Sequence, residues 1–390
     1  MKSKFKVLRI IGSIDPRFGG PSAGIIESSL TLIKRGFEVH ILTADPKKAI
    51  FFKSNKIKII NKGPHILGNY YFSLKQFFWL RQNRDRYDAF IVHGLWQFKT
   101  LIARILLKKK YFVFTHGQLD PFFAENFFRM IKKKIYWFFI EKRNLLNAKS
   151  LLLTSEGEKN TLKKTFVNTD GIKKQVIKYG ILKKKINREK LLKQFYSQFP
   201  FLKHNNFYLF LGRFHEKKGC DIVIKSINKL KNKFNNKILF IGPMTGSSYE
   251  MYIKNLVKKY NLQQKIFFSN ALFGDSKWGP ILACKGMLLA SHGENFGISL
   301  VESLSMGKPV ITTDKVNIYK DILKYKAGFI SKDNVNNFSK ALQKFNSLTK
   351  KQTLKMSKNS YRCFNENFNL QSRKNSLDQL LKKYIKKINE

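Results

Sequence analysis

Twelve short runs of β-branched and aromatic residues, many of them separated by stretches with helical spacing, constrain this chain more than any other feature. Such alternation makes βα units, which assemble into parallel sheets with helices on the faces. The first series predicts strands over Lys6–Ile11, Glu38–Thr43, Lys56–Ile60, Asp88–Val92, Tyr111–Thr115, Ser150–Leu153 and Gln175–Lys178, with a helix over Ser22–Lys34. Residues 183–206, rich in Lys and Asn and carrying Pro200, interrupt the series. A second series then predicts strands over Phe207–Leu211, Lys237–Ile241, Lys265–Ser269, Gly286–Ala290 and Pro309–Thr313. The expectation is an α/β chain of two Rossmann-like doubly wound domains, residues 1–185 and 186–365. In the remaining stretch, 366–390, Leu377, Leu380, Leu381, Tyr384, Ile385 and Ile388 have i, i+3, i+4 spacing, so an amphipathic helix is expected there, packing back towards the first domain.

Composition narrows the function classes. Of 390 residues, 75 are Lys or Arg and 25 are Asp or Glu, a net charge of +50. A field of that size attracts polyanions, whether nucleic acid or an anionic membrane face. The lysines are nevertheless spread along the whole chain, as Lys108–Lys110, Lys132–Lys134, Lys183–Lys185, Lys350-Lys351 and Lys386-Lys387, and Lys, Phe, Asn and Ile are in excess together. That pattern fits compositional drift better than a dedicated patch. The apolar run Ile135–Ile140 is far too short to span a bilayer, and Arg9 breaks the apolar start, so neither a spanning helix nor a signal peptide is expected. The three cysteines, Cys220, Cys284 and Cys363, form no C-x-x-C pair, which disfavours a disulfide framework or a zinc site. A cytoplasmic protein without a metal is the expectation.

Ligands of open α/β sheets bind beyond the carboxyl ends of the strands, so the residues ending each run carry the functional signal. In the first series these are His93-Gly94 and His116-Gly117-Gln118-Leu119-Asp120. A histidine between a strand end and a glycine, with Asp120-Pro121 following, suits a ligand better than a core. In the second series they are Gly212-Arg213, Gly242-Pro243 and Ser291-His292-Gly293-Glu294. The first βα turn holds Gly19-Gly20 before its helix, room for a backbone to approach a phosphate or sugar. It is neither G-x-G-x-x-G nor a P-loop, and no acidic residue is read at the end of the second strand, which disfavours NAD and ATP.

The most informative segment is Ser291–Thr313. Glu294 lies in a loop before a helix expected to start near Gly297, after Asn295 and Phe296, and Glu302 lies eight residues on, inside that helix. A nucleotide sugar asks for those parts: amide N–H groups for its diphosphate, one carboxylate for sugar hydroxyls and another for the ribose diol.

On these residues the chain resembles the glycosyltransferase family 4 group, retaining enzymes of the GT-B fold, whose two Rossmann-like domains face a central cleft. Glu294 and Glu302 match its E-x7-E motif, Arg213 and Lys218 its donor-diphosphate pair, and Gly19-Gly20 its N-terminal glycine loop. His116–Pro121 looks like the HGMLDP element of a branch that builds bacterial surface polysaccharides. Tyr179-Gly180 and Gly293 depart from the family pattern, which often has Asn-Gly at the first place and Ser or Pro at the second. The resemblance implies a nucleotide-diphosphate sugar as donor and a glycan or lipid-linked glycan as acceptor. It also implies retention through same-face attack, His116 at the transferred sugar, and the cationic pair in place of a metal or other cofactor.

Two alternatives remain at this level. A sugar phosphorylase would use the same fold, although no pyridoxal-bearing lysine is identified, and a basic nucleic-acid-binding protein would use clustered cations with aromatics. Phe127–Lys142 interleaves the two residue types; it reads first as a core helix, then as an amphipathic face on anionic lipid.

Overall fold

The computed structural model describes residues 5–16, 20–119, 127–165, 169–177, 179–203, 206–371 and 376–389. Gly19, Asp120, Pro121 and Lys178 lie outside them. Two compact units result, one of residues 1–182 with 370–390 and one of residues 183–369.

The first unit is built on seven strands: β1 (Lys6–Ile10), β2 (Glu38–Thr43), β3 (Lys58–Asn61), β4 (Ala89–His93), β5 (Tyr111–Phe114), β6 (Ser150–Leu153) and β7 (Lys174–Val176). All are parallel, in the order β3-β2-β1-β4-β5-β6-β7. The chain steps outward from β1 in one direction, then returns to place β4 on its other side, and that reversal opens a crevice at the strand tips. Alternate residues enter opposite layers, as period two requires. Leu8, Ile10, Phe90, Val92, Tyr111 and Val113 pack into one core, while Val7, Val39, Ala89, Ile91, Phe112 and Phe114 pack into the other.

The Leu377–Asn389 helix belongs to this second layer. Leu381, Tyr384 and Ile385 are buried in it, with Tyr384 edge-on to Phe112 at 5.1 Å, and Asp378 in the helix's first turn is ion-paired with Arg35.

The second unit repeats the plan with six strands: β8 (Phe207–Leu211), β9 (Lys237–Ile241), β10 (Ile266–Ser269), β11 (Gly286–Leu289), β12 (Val310–Thr313) and β13 (Gly328–Ser331). Their order is β10-β9-β8-β11-β12-β13, again parallel throughout, so its reversal falls between β8 and β11. The two doubly wound sheets expected from the alternation are present. β13 is an addition, a four-residue strand on the sheet edge that starts with a glycine, too short and too weak in strand formers to stand out.

Candidate active site

In the second unit the loops after β8 and β11 are stitched together. Ser291 Oγ donates to the Lys217 carbonyl at 2.6 Å, and the His292 amide donates to the same oxygen at 2.9 Å. The chain after β8 makes a tight turn over Glu216–Lys218 and then Gly219, at φ +64°, opens the Cys220–Leu230 helix. A Cβ on Gly219 would lie 2.0 Å from the Ala290 carbonyl oxygen, so only glycine lets this turn sit against the end of β11. That contact carries Lys218 to Glu294, and the two side chains form an ion pair.

Glu294 is fixed by its backbone as well. Its amide donates to Lys315 O at 3.1 Å, and its carbonyl accepts from the Asn317 amide at 2.9 Å, which binds the motif loop to the loop after β12. Burial works to raise the carboxyl's pKa. The charge and hydrogen bond of Lys218, with Lys217 and Arg213 adding to them, outweigh it and hold the pKa below the usual carboxylate value. Glu294 is therefore anionic at neutral pH. Arg213 stands exposed after β8 and makes no hydrogen bond or ion pair among the described residues.

The helix expected near Gly297 runs over Ile298–Ser305. Gly297 caps it at φ +68° with no side-chain cap, which leaves first-turn amides for another partner, as helix ends do. Phe296 is buried and stands edge-on to Phe368 at 5.7 Å, anchoring the turn, and Asn295 Oδ1 accepts from Asn317 Nδ2 at 3.3 Å. Glu302 is buried inside the helix and ion-paired with Lys277. Arg213, Lys218, Glu294, Asn295, Phe296 and Gly297 thus belong to the loops after β8 and β11 of one unit, while Glu302, inside the helix, is tied to Lys277 in the loop after β10. Sequence reading missed Lys277, whose only signal is position, one residue before the Trp278–Ala283 helix.

The first unit carries its own strand-tip cluster. Gly20 opens the Gly20–Lys34 helix, while Gly19, its partner in the glycine pair, lies outside the described residues. An acidic residue does stand beyond β2, contrary to the expectation: Asp45, two residues past the strand end, is buried and accepts the Ile14 amide at 3.1 Å. Its carboxylate is spent on holding the first loop.

His116 follows β5 at φ +49°, in the left-handed region unusual for a side-chain-bearing residue. Glu158 holds this turn, accepting from the Gly117 amide at 3.0 Å and from the Thr115 hydroxyl. The His116 ring is stacked on His93 with centroids 5.2 Å apart, and its Nε2 lies 2.9 Å from His93 Nδ1. Burial first, then the charges of Arg9 and Lys99, pushes the His116 pKa down to about 3. The imidazole is neutral at any physiological pH. Among the described residues, no group of three or more His, Cys, Asp or Glu side chains could hold a metal ion, and no helix is long and apolar enough to cross a membrane.

Phe127–Lys142, read first as a core helix, is only half one. Trp137 and Glu141 are buried, whereas Ile131, Ile135, Phe138 and Phe139 are between 38% and 67% exposed. Their spacing of four, three and one residues draws one apolar stripe on the outside, with Lys132 and Lys134 exposed beside it. Lys133 lies instead over the Trp96 ring, 5.4 Å from its centroid.

Two family profiles account for most of the sequence. Residues 18–186 match Glycosyltransferase Family 4 and residues 193–362 match Glycosyl transferases group 1. The O-antigen chain mannosyltransferase RfbU of Salmonella typhimurium is 24% identical over 287 residues, 69% of this chain and 73% of its own. The crystal structure of a glycosyltransferase from Rickettsia africae has a TM-score of 0.77 over 99% of both chains at 19% identity. That of Anabaena HepE in complex with UDP-glucose has a TM-score of 0.73 over 98% of this chain and 99% of its own, at 14% identity.

Proposed function

The chain belongs to the family 4 glycosyltransferases and has their GT-B fold, and from that premise we propose a specific reaction for it. It moves a sugar, with retention, from a nucleotide-diphosphate sugar to a glycan or lipid-linked glycan during cell-surface polysaccharide biosynthesis. Membership leaves the nucleic-acid-binding and phosphorylase alternatives without support.

The observation that carries this reading is the Lys218–Glu294 pair beside an exposed Arg213 and an uncapped helix start. A glycosyl donor leaves as a diphosphate, so negative charge grows on its oxygens in the transition state. Arg213, Lys218 and the amides after Gly297 are groups that can receive that charge without reorganising. Glu294, kept anionic, accepts from sugar hydroxyls, and Glu302 accepts from the ribose diol. A donor phosphate oxygen helps to deprotonate the acceptor, which attacks on the face the diphosphate leaves. In the first unit, Gly20 at the start of its helix gives the backbone room for a phosphate or sugar, and His116 contacts the transferred sugar. No metal or other cofactor is required for these roles.

Further support for the substrate class comes from named relatives: RfbU of Salmonella is an O-antigen chain mannosyltransferase, and HepE of Anabaena was crystallised with UDP-glucose. The enzyme works in the cytoplasm, resting on the anionic inner face of the membrane through the Ile131, Ile135, Phe138 and Phe139 stripe with Lys132 and Lys134. Screening nucleotide sugars for donor hydrolysis tests the core of the reading. One donor should be cleaved well above the rest, and cleavage of none, by folded protein offered both donor and glycan acceptors, would overturn it.

A further inference from the structure

Arg9 is the unexpected residue of the first unit, a charged side chain in the middle of a central strand and 1% exposed. Period two sends it to the same layer as Val7, under the Gly20–Lys34 helix. A buried charge survives only if its donors are met. Nη1 donates to Ile25 O at 3.0 Å, Ser28 Oγ at 2.7 Å and Ser29 Oγ at 2.9 Å, and Nε donates to His93 Nε2 at 3.1 Å.

That last bond has a direction that cannot reverse. A guanidinium has no acceptor, so His93 Nε2 must offer its lone pair, and the neutral ring then carries its proton on Nδ1. Nδ1 lies 2.9 Å from His116 Nε2. It donates there, so His116 Nε2 accepts, and the proton of His116 must sit on Nδ1. The opposite order would leave His93 accepting at both nitrogens with no proton at all. Nδ1 of the part-buried His116 meets no hydrogen-bond partner among the described residues.

We propose that Arg9 and His93 are positioning residues: they fix His116 as an Nδ1–H donor to a ligand oxygen and deny it the role of general base. The inference rests on the reading above that His116 contacts the transferred sugar. It sharpens that reading, because the sugar must then present a hydroxyl or ring oxygen as acceptor at this point.

The test uses the full chain labelled with 15N-histidine, in which two-bond proton–nitrogen correlations report which ring nitrogen carries the proton. His116 is assigned from the signal missing in His116→Gln. The expected spectrum has His116 protonated at Nδ1 alone from pH 5 to 8. In Arg9→Met the lock is lost, the Nε2–H tautomer appears, and turnover falls by about tenfold, the worth of one hydrogen bond turned away, with donor KM little changed. His93 provides a second pair of variants in case Arg9→Met does not fold. His93→Asn keeps an N–H where Nδ1 stood and should retain most of the turnover, whereas His93→Leu should lose about tenfold. An Nε2–H or doubly protonated His116 in the wild type overturns the proposal, as does equal turnover in His93→Leu and His93→Asn. If no donor is turned over, the transfer reading fails while the spectrum still decides the tautomer.

Discussion

Both units place polar side chains at the tips of a parallel sheet beside its reversal point, yet they treat charge in opposite ways. In the first, Arg9 is sunk under a helix with its Nε and Nη1 bound, and the histidines it reaches are held neutral. In the second, Arg213 stands open and Lys218 and Glu294 neutralise one another. Neutral, directional groups suit an uncharged ligand such as a sugar ring. An open cation suits a diphosphate, because it can receive an incoming anion without first giving up a partner. One architecture, used twice, thus becomes two kinds of site through the burial of its cations.

The sharpest way to break this contrast is to remove the open cation. Arg213→Ala should lower turnover on the order of 100- to 1,000-fold, the effect of one preorganised group at a developing charge. The variant should fold normally, since Arg213 is exposed and makes no hydrogen bond or ion pair among the described residues. Steady-state kinetics beside a thermal melt checks both halves, and an unchanged turnover would remove the donor-diphosphate role from this site.

The buried side of the contrast is tested through stability. Burial pushes Lys99 down to about 7, with Glu141 opposing the shift, and pushes Glu141 up to about 7 against its hydrogen bonds from Thr100 and Asn144. Between pH 4.5 and 7 the folded Glu141 keeps a proton that the unfolded chain has lost, so its contribution to stability falls as pH rises. Between pH 7 and 10.5 the unfolded Lys99 keeps a proton that the folded one has released, so stability climbs again. His93 and His116 work the other way on the acid side, since their lowered pKa values leave the unfolded chain with more protons below pH 6.5, so the two contributions are read from variants. Glu141→Gln should make stability climb more steeply with pH across the acid limb, by an amount on the order of 1 to 3 kcal/mol, and Lys99→Met should flatten the alkaline limb. Denaturant melts across the pH range report it, and limbs unchanged in both variants would contradict it.

Sequence carried the plan well but not the side-chain partners. Twelve of the described strands were legible, most of them because a buried parallel strand is a continuous apolar run between turn signals, though β3 and β7 are only partly buried. Arg213, Lys218, Glu294 and Glu302 were singled out by their place at strand ends and by the resemblance of their strings to the family's motifs. Arg9, Lys277 and Asp45 were not, because each acts through a partner distant in sequence: His93, Glu302 and the Ile14 amide. The outward turn of Ile131, Ile135, Phe138 and Phe139 was hidden for a related reason. A segment rich in both Lys and Phe looks the same whether the aromatics face in or out until its neighbours are known.

That stripe offers a smaller test, one that leaves both strand-tip clusters intact. Each lysine near an anionic leaflet contributes about 1 kcal/mol. Replacing Lys132 and Lys134 by Gln, with Phe138 and Phe139 changed to Ser, should loosen binding to anionic liposomes and slow transfer to a lipid acceptor while sparing donor hydrolysis. Lys133, spread over Trp96, should matter little. Flotation at the wild-type level in the quadruple variant would exclude this face as the contact.

The smallest expected effect is none. Enzymes that expel a diphosphate commonly use a divalent ion to absorb the growing charge, and the chemistry is indifferent to whether a metal or a fixed cation does so. The second unit supplies Arg213 and Lys218 on the same loop, five residues apart, with Lys217 between them and first-turn amides after Gly297. Its two motif carboxylates are already engaged, Glu294 with Lys218 and Glu302 with Lys277. A metal would have to break those pairs to take either motif carboxylate as a ligand. Transfer should therefore proceed at the same rate in EDTA as in buffer with magnesium or manganese. Complete loss on chelation, restored by either ion, would mean that the open cations do not suffice, and that the contrast between the two units lacks a metal on the donor side.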